Sequence, residues 1–257
     1  MAIGVLIIGD EILSGKRQDK HFTRAIQILG VRGLELDWAA YLGDDPARIT
    51  ATLQRTFATD DIVFSFGGIG ATPDDHTRQC AAAALGRPLV RHPEAVREIE
   101  ARFGAEAYPR RVMMAEFPEG AAIIPNPFNR IAAFSVGSHH FLPGFPEMAW
   151  SMMGWVLDTK YQSLFRESLP HEEAVIVHDA GESDLVDLMN AIVADYPDLK
   201  LSSLPSFIPG GGRLIELSVR GEATRAREAM ARIRGEVARL GWPMSARAAR
   251  SSAPTST

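Results

Sequence analysis

The segment Phe64-Ser65-Phe66-Gly67-Gly68-Ile69-Gly70-Ala71-Thr72-Pro73-Asp74-Asp75-His76-Thr77 constrains the fold of this chain more than any other. Asp61 to Phe66 has the length and apolar character of a buried strand. It passes at once into a glycine turn and then into a helix whose first turn carries two carboxylates. Strand, glycine turn and helix in that order leave unpaired N–H groups at the positive end of a helix dipole, where small residues let an anion come close. The guest that suits such a junction is a phosphate. Bare carboxylates repel phosphate, so Asp74 and Asp75 imply that it arrives with a metal ion or another cation. Thr72-Pro73-Asp74-Asp75 also fits a capping box, with Thr72 as N-cap and Pro73 at the first helical position. A cap accounts for Thr72 and one acid; three glycines, the second acid and Thr77 are left over.

The residues before this junction repeat its logic. Ile3 to Ile8 is a continuous apolar run, as expected of a central parallel strand covered on both faces, and the polar loop Gly9-Asp10-Glu11-Ile12-Leu13-Ser14-Gly15 follows at the usual place for ligand chemistry in an open α/β sheet. Asp19 can cap a helix with Phe22, Ala25, Ile26 and Leu29 on one face, stopped by Gly30. Leu34 to Leu42 reads as a second strand. In Gly43-Asp44-Asp45-Pro46 one aspartate caps the next helix, leaving the other free, and Ile49, Leu53 and Phe57 mark that helix's core stripe. After the glycine turn, Arg78 to Leu85 is helical and Gly86 ends it. Such alternation implies a parallel sheet covered on both faces.

Pro93 opens a helix bearing Val96, Ile99 and Phe103, and Arg110 to Ala115 forms a further short helix. Ala121 to Ile124 and Ala132 to Val136 read as strands, the latter turning through Gly137-Ser138 into Phe141-Leu142. Leu142-Pro143-Gly144-Phe145-Pro146-Glu147-Met148 is a second strand–glycine–helix junction, with Pro146 starting a helix through Trp155. From about Gln162 the pattern changes to β-α-β-β-α: His171 to Val177, Ser183 to Ala194, Leu199 to Leu204, Leu214 to Val219 and Ala223 to Leu240. Ile215, Leu217 and Val219 alternate with Glu216, Ser218 and Arg220, which predicts a sheet open to water on one face. Pro209-Gly210-Gly211-Gly212 reads as a flexible hairpin loop. The expected division is residues 1–165 as an α/β domain, 166–243 as a small α+β domain and 244–257 as a disordered tail.

Several functions are disfavoured. Gly68-Ile69-Gly70 has Pro73 where a dinucleotide fingerprint needs its third glycine; Gly9 to Arg17 has five residues between its glycines where a P-loop has four, and Arg17 in place of Ser/Thr. No H-E-x-x-H, Cys/His cluster or G-x-S-x-G elbow occurs, and neighbouring His139 and His140 face opposite sides of a strand. A net charge of −5 gives no general attraction to nucleic acid or an anionic membrane. The single cysteine, Cys80, has no internal disulfide partner and reads as core. The short apolar start lacks a basic leader and no transmembrane span is evident, so a cytoplasmic location is expected.

Taken together, G-D-E-I-L-S-G (Gly9 to Gly15), G-D-D (Gly43 to Asp45), G-G-I-G-x-T-x-D-D-x-T (Gly67 to Thr77), Asn126-Pro127 and Leu142 to Met148 resemble the N-terminal region of competence/damage-inducible protein A, in the molybdopterin-binding superfamily. The resemblance implies a three-layer α/β/α domain followed by the small α+β domain, without the nicotinamide-nucleotide amidase domain of full-length relatives. It implies two chemistries. One is metal- and potassium-dependent hydrolysis of the pyrophosphate in an ADP-ribose-like or FAD-like nucleotide; the other, as in more distant relatives, is binding molybdopterin and helping to adenylate it or insert molybdenum. Binding of molybdopterin or a nucleotide without turnover, and a scaffold with no ligand, are the rival readings. On the first, Asp10, Asp44 and Asp75 are the catalytic carboxylates, and Asp10 and Asp75 bind a divalent cobalt or magnesium ion. Gly67, Gly68, Gly70, Thr72, Asp74, Thr77, Ser14, Asn126, Gly144 and Pro146 hold the phosphorylated small molecule. The resemblance also implies a homo-oligomer, dimer or trimer. Three departures stand out: Ala71 replaces a proline, His21 replaces an asparagine, and Asn126-Pro127-Phe128-Asn129-Arg130-Ile131-Ala132-Ala133-Phe134 lacks both glycines of the family's N-P-x-G-T-A-P-G-F loop.

Overall fold

A computed structural model describes residues 1–167, 169–207 and 212–247, which divide into two compact units, 1–167 and 168–257. In the first unit β1 (Ile3–Ile8), α1 (Asp10–Leu13), α2 (His21–Gly30), β2 (Trp38–Leu42), α3 (Pro46–Phe57), β3 (Ile62–Phe66), α4 (Thr77–Leu85), β4 (Leu89–Arg91), α5 (Pro93–Phe103), β5 (Glu116–Pro118), β6 (Ala122–Ile124), β7 (Ala133–Val136), β8 (His139–Leu142) and α6 (Pro146–Lys160) follow one another. Six strands form one sheet in the order β2-β1-β3-β8-β7-β6. The pairs among β2, β1, β3 and β8 are parallel, whereas the β8-β7-β6 edge is antiparallel: Gly137-Ser138 turns β7 straight back into β8, and the loop of residues 125–132 returns β6 to β7. The mostly parallel α/β sheet expected from the alternation is what forms.

Each strand sends alternate side chains to two cores. Val5, Ile7, Phe64, Phe66 and Leu142 meet Ala25 and Leu29 of α2 and Met152, Met153 and Val156 of α6. Leu6, Ile8, Val63, Phe134 and Phe141 meet Ile49 and Leu53 of α3, Cys80 of α4 and Ile99 of α5. The second core carries an aromatic column, Phe117 on Phe134 (centroids 4.8 Å) and Phe134 on Phe141 (4.6 Å). Such pairs add about 1 kcal/mol each beyond their area burial. Cys80 is a buried free thiol, as expected of a core residue.

Local expectations are corrected in three places. The buried stripe of α2 is His21, Ala25, Ile28 and Leu29, and Ile26 is 45% exposed, because the helix begins at His21 and its inward face runs i, i+4, i+7, i+8 from there. Asp19 does cap it, accepting the His21 and Phe22 amides at 2.7 and 3.1 Å. The second strand begins only at Trp38, since Leu34 returns its amide to Leu29 of the helix. The short pair β4-β5 was legible in neither segment.

In the second unit, β9 (His171–His178), α7 (Val186–Asp195), β10 (Lys200–Phe207), β11 (Arg213–Gly221), α8 (Ala223–Arg239) and β12 (Met244–Ala246) give an antiparallel sheet of order β10-β11-β9-β12. Val175, Val177, Ile215, Leu217 and Val219 face Leu188, Met230 and Ile233 of the helices. Met244 to Ala246, expected in a disordered tail, instead add an edge strand to β9. Arg247, just beyond, reaches Glu172 at 3.3 Å and Glu216 at 3.1 Å across the other face of the sheet. That face is therefore less open than its polar alternation predicts, and Ser218 on it is buried. The expectations for residues 209–211 and 248–257 fall outside the described residues. Among the described residues no helix is long and apolar enough to cross a membrane.

Candidate functional site

The parallel strands all point their C-terminal ends to one side of the sheet, and the loops after β1, β2, β3 and β8 meet there. Gly67, Gly68, Gly70, Thr72, Asp44, Asp74, Asp75, Asn126 and Gly144 line a single hollow of about 360 Å³. Asp10, Ser14, Thr77 and Pro146 do not line it.

The glycine turn is shaped by close contacts. Gly67 has φ +101° and Gly68 φ +68°, both in the region that favours glycine, and a Cβ on either would collide with Ile8 O or the Thr77 hydroxyl. The Gly67 amide donates to Leu142 O at 3.0 Å, stitching this turn to the second strand–glycine–helix junction, so it is not free for a ligand. Among the described residues the amides of Gly68, Ile69, Gly70 and Ala71 meet no acceptor. Beneath them Arg78 is almost fully buried; its guanidinium donates to Gly70 O at 2.6 Å, to Glu116 O at 3.2 Å and to Met113 O. Burial lowers its pKa, offset by the carboxylates of Glu116 and Asp75.

Of the capping arrangement expected at Thr72, the acid three residues on does accept the Thr72 amide, but the helix does not start there. The helix begins at Thr77, and Thr72 to Asp75 make a separate turn, the Asp75 amide donating to Thr72 O at 3.0 Å. Asp75 accepts the Thr72 amide at 2.8 Å and its hydroxyl at 2.5 Å. Asp74 and Asp75 thus lie in the loop ahead of the helix. The physical reason is Thr77, whose buried hydroxyl donates to Gly67 O at 3.0 Å and whose amide donates to Gly68 O, which fixes the helix start. Thr77 holds the turn closed.

Asp45 is the N-cap of α3, accepting the Ala47 and Arg48 amides at 2.9 and 3.4 Å, so Asp44 is the free member of the pair. Its carboxylate accepts the Asp10 amide at 2.9 Å. Burial pushes the Asp44 carboxyl above the usual range; the bond from the Asp10 amide opposes this, and the charges of Asp10, Glu11 and Asp74 add to it. Asp10 sits behind Asp44, its own carboxylate turned to the Asp44 amide at 3.2 Å. Ser14 closes α1 on Asp10 O, and Pro146 occupies the first turn of α6.

The hollow has members beyond the expected site residues. Glu11, Arg17, Met114, Asn129, Phe145 and Met148 also line it. The signal for Arg17 lay in the rejected P-loop pattern. Four carboxylates, Glu11, Asp44, Asp74 and Asp75, stand against one guanidinium in this lining. Among the described residues, however, no three or more His, Cys, Asp or Glu side chains are grouped as a metal ion requires. His21 packs just below, its ring on Phe66 at 4.6 Å and Nε2 3.3 Å from Gly144 O, and burial lowers its pKa.

The altered loop after Asn126 is rebuilt without glycine. Asn126 accepts the Phe128 amide at 3.0 Å and donates to Ile131 O at 3.1 Å, while Asn129 accepts the Ile131 amide at 2.9 Å. Arg130 takes a left-handed φ of +58° and is braced by two bonds to Glu98, 2.7 and 3.1 Å.

Residues 4–162 match the family model described as a probable molybdopterin binding domain. The chain belongs to this family. It is 36% identical over 165 residues to a CinA-like protein of Anaeromyxobacter sp. (strain K), covering 61% of this chain and 40% of that protein. To a CinA-like protein of Geobacter metallireducens it is 36% identical over 157 residues, covering 58% and 38%. The chain therefore matches about two-fifths of the length of these curated relatives. The crystal structure of CinA from Thermoplasma acidophilum, described as of unknown function, superposes with a TM-score of 0.56 at 26% identity, over 61% of this chain and 96% of that one. The resemblance drawn from the motifs is thus to the right family, and the matched residues contain the whole hollow.

Proposed function

We propose that the hollow binds a phosphorylated small molecule, a molybdopterin-like pterin or a nucleotide, with phosphate on the Gly68 to Ala71 amides. The observation that carries this reading is that four consecutive residues with unpartnered amides line one cavity at the carboxyl ends of the parallel strands. Arg78 beneath the turn and Arg17 at its side supply positive charge. The family match supports a pterin; the four carboxylates in the lining support a ligand that arrives with a cation.

Turnover is a second reading, favoured by Asp44. A partly buried carboxylate with a raised pKa beside a phosphate-sized hollow is suited to orient and deprotonate a water attacking a pyrophosphate. The described side chains do not assemble a metal cage, so no step is assigned to a metal. The two readings separate in one experiment. Purified protein is screened by thermal shift against molybdopterin, ADP-ribose, FAD, AMP and pyrophosphate, with and without magnesium, cobalt and potassium, and each mixture is then assayed for AMP release. A melting shift that Gly70→Val abolishes supports binding, and AMP release lost in Asp44→Asn supports turnover. No shift with any ligand sinks both. The expected dimer or trimer is read from the same sample by light scattering.

A further inference from the structure

A second cavity, of about 500 Å³, opens at the edge of the first unit's sheet, beside β6 and between α5 and α6. It shares Asn126 and Ala132 with the glycine hollow but none of that hollow's aspartates. Trp155 of α6 lines it and is 38% exposed. An indole left this open loses apolar burial, and a cavity of this size with apolar walls and a few polar groups is the form small-molecule sites take. Two ion pairs line the same space. Arg130 and Glu98 are locked by two bonds, one to each Glu98 oxygen. Arg97 and Glu94, one turn apart on α5, are held only loosely at 3.9 Å, so a donor and an acceptor stand side by side with capacity to spare.

We propose that this cavity is a binding site for a flat heteroaromatic ring that carries an N–H and a carbonyl on one edge, as guanine, flavins and pterins do. The ring lies on the Trp155 indole, the carbonyl accepts from Arg97 and the N–H donates to Glu94. The fixed Arg130–Glu98 pair forms the side wall. Ring stacking on an aromatic side chain is tolerant of the ring's identity, so the edge groups select the class and the indole supplies the area. This site stands whether or not the glycine hollow holds phosphate.

Guanosine, riboflavin and neopterin, titrated separately into the full chain by calorimetry, test it. At least one is expected to bind, with affinity reduced about tenfold in Trp155→Leu, the scale that stacking of one ring reaches. Arg97→Ala, an exposed substitution that leaves the core intact, is expected to weaken the same ligand several-fold. Gly70→Val, which closes the glycine hollow to a ligand, should leave it unchanged. No binding by any of the three, binding that survives both Trp155→Leu and Arg97→Ala, or binding lost in Gly70→Val overturns the proposal.

Discussion

Asp10 and Asp44 each accept the other's backbone amide, at 3.2 and 2.9 Å, joining the loop after β1 to the loop after β2. This reciprocal bond holds two like charges together, and it is why Asp44 is held in place despite a raised pKa. Neutralising Asp44 while keeping its oxygen removes the repulsion and retains the acceptor. Asp44→Asn should therefore leave stability within about 0.5 kcal/mol, whereas Asp44→Ala, which deletes the acceptor, should lose about 1 kcal/mol. Urea melts of the two variants check this, and equal losses would contradict the crosslink role.

Arg78 donates to three backbone carbonyls and is 2% exposed, so its removal takes the side-chain donor from Gly70 O and Glu116 O, while Met113 O keeps the Glu116 amide. Arg78→Met should cost about 2–4 kcal/mol, in the range for breaking a buried charged network. Because Gly70 O is one of the three, ligand-induced melting shifts should also shrink. A variant of wild-type stability would show the anchor to be dispensable.

Arg130 has a left-handed backbone where a β-carbon is strained by about 1 kcal/mol, and its exposed ion pair with Glu98 returns less than that. Arg130→Ala keeps the strain and loses the pair; Arg130→Gly loses both. The alanine variant should be about 1 kcal/mol less stable than the glycine variant. Chemical denaturation compares them, and the reverse order would refute the strain argument.

Acid should destabilise the first unit through two buried histidines. Burial lowers His140 to about 3 and His139 to about 4, from an ordinary 6.5. Both are kept neutral by their surroundings: His140 bonds Ser135 and Tyr161 at 2.8 Å each, and His139 bonds Thr56 at 2.9 Å. A folded-state pKa below the unfolded one means the unfolded chain takes up the proton first. The stabilisation is complete above about pH 6.5 and is lost as pH falls toward 3, with a slope near 1.4 kcal/mol per pH unit per histidine. His140→Gln should flatten the dependence of unfolding free energy on pH between 6 and 4. An unchanged slope would place the acid sensitivity elsewhere.

The fold was largely legible because its signals are local. Apolar runs of strand length, Pro and Asp at helix starts and glycines at strand ends each act over a few residues, so β1, β3, α3, α6 and the β7–β8 hairpin could be read directly. The site was legible in part. Asp44, Asp74, Asp75 and the glycines lie in one lining, but Asp10 is turned back behind Asp44, and Ser14, Thr77 and Pro146 serve the scaffold. Sequence pattern marks which residues stand at a strand's end. It does not say which way each side chain points.

The sequence by itself determined the family, the two layers of helices and the rim on which a ligand would sit, since these follow from periodicity and from motifs that act within a single turn of chain. Tertiary structure decided what those motifs do. The helix starts at Thr77 because of a hydroxyl bond to Gly67, the Gly67 amide is taken by Leu142 and the Gly70 carbonyl by Arg78, and Asn126 and Asn129 rebuild a loop that has lost its glycines. Each of these is a hydrogen bond whose partner is chosen by packing, and no local pattern encodes that choice.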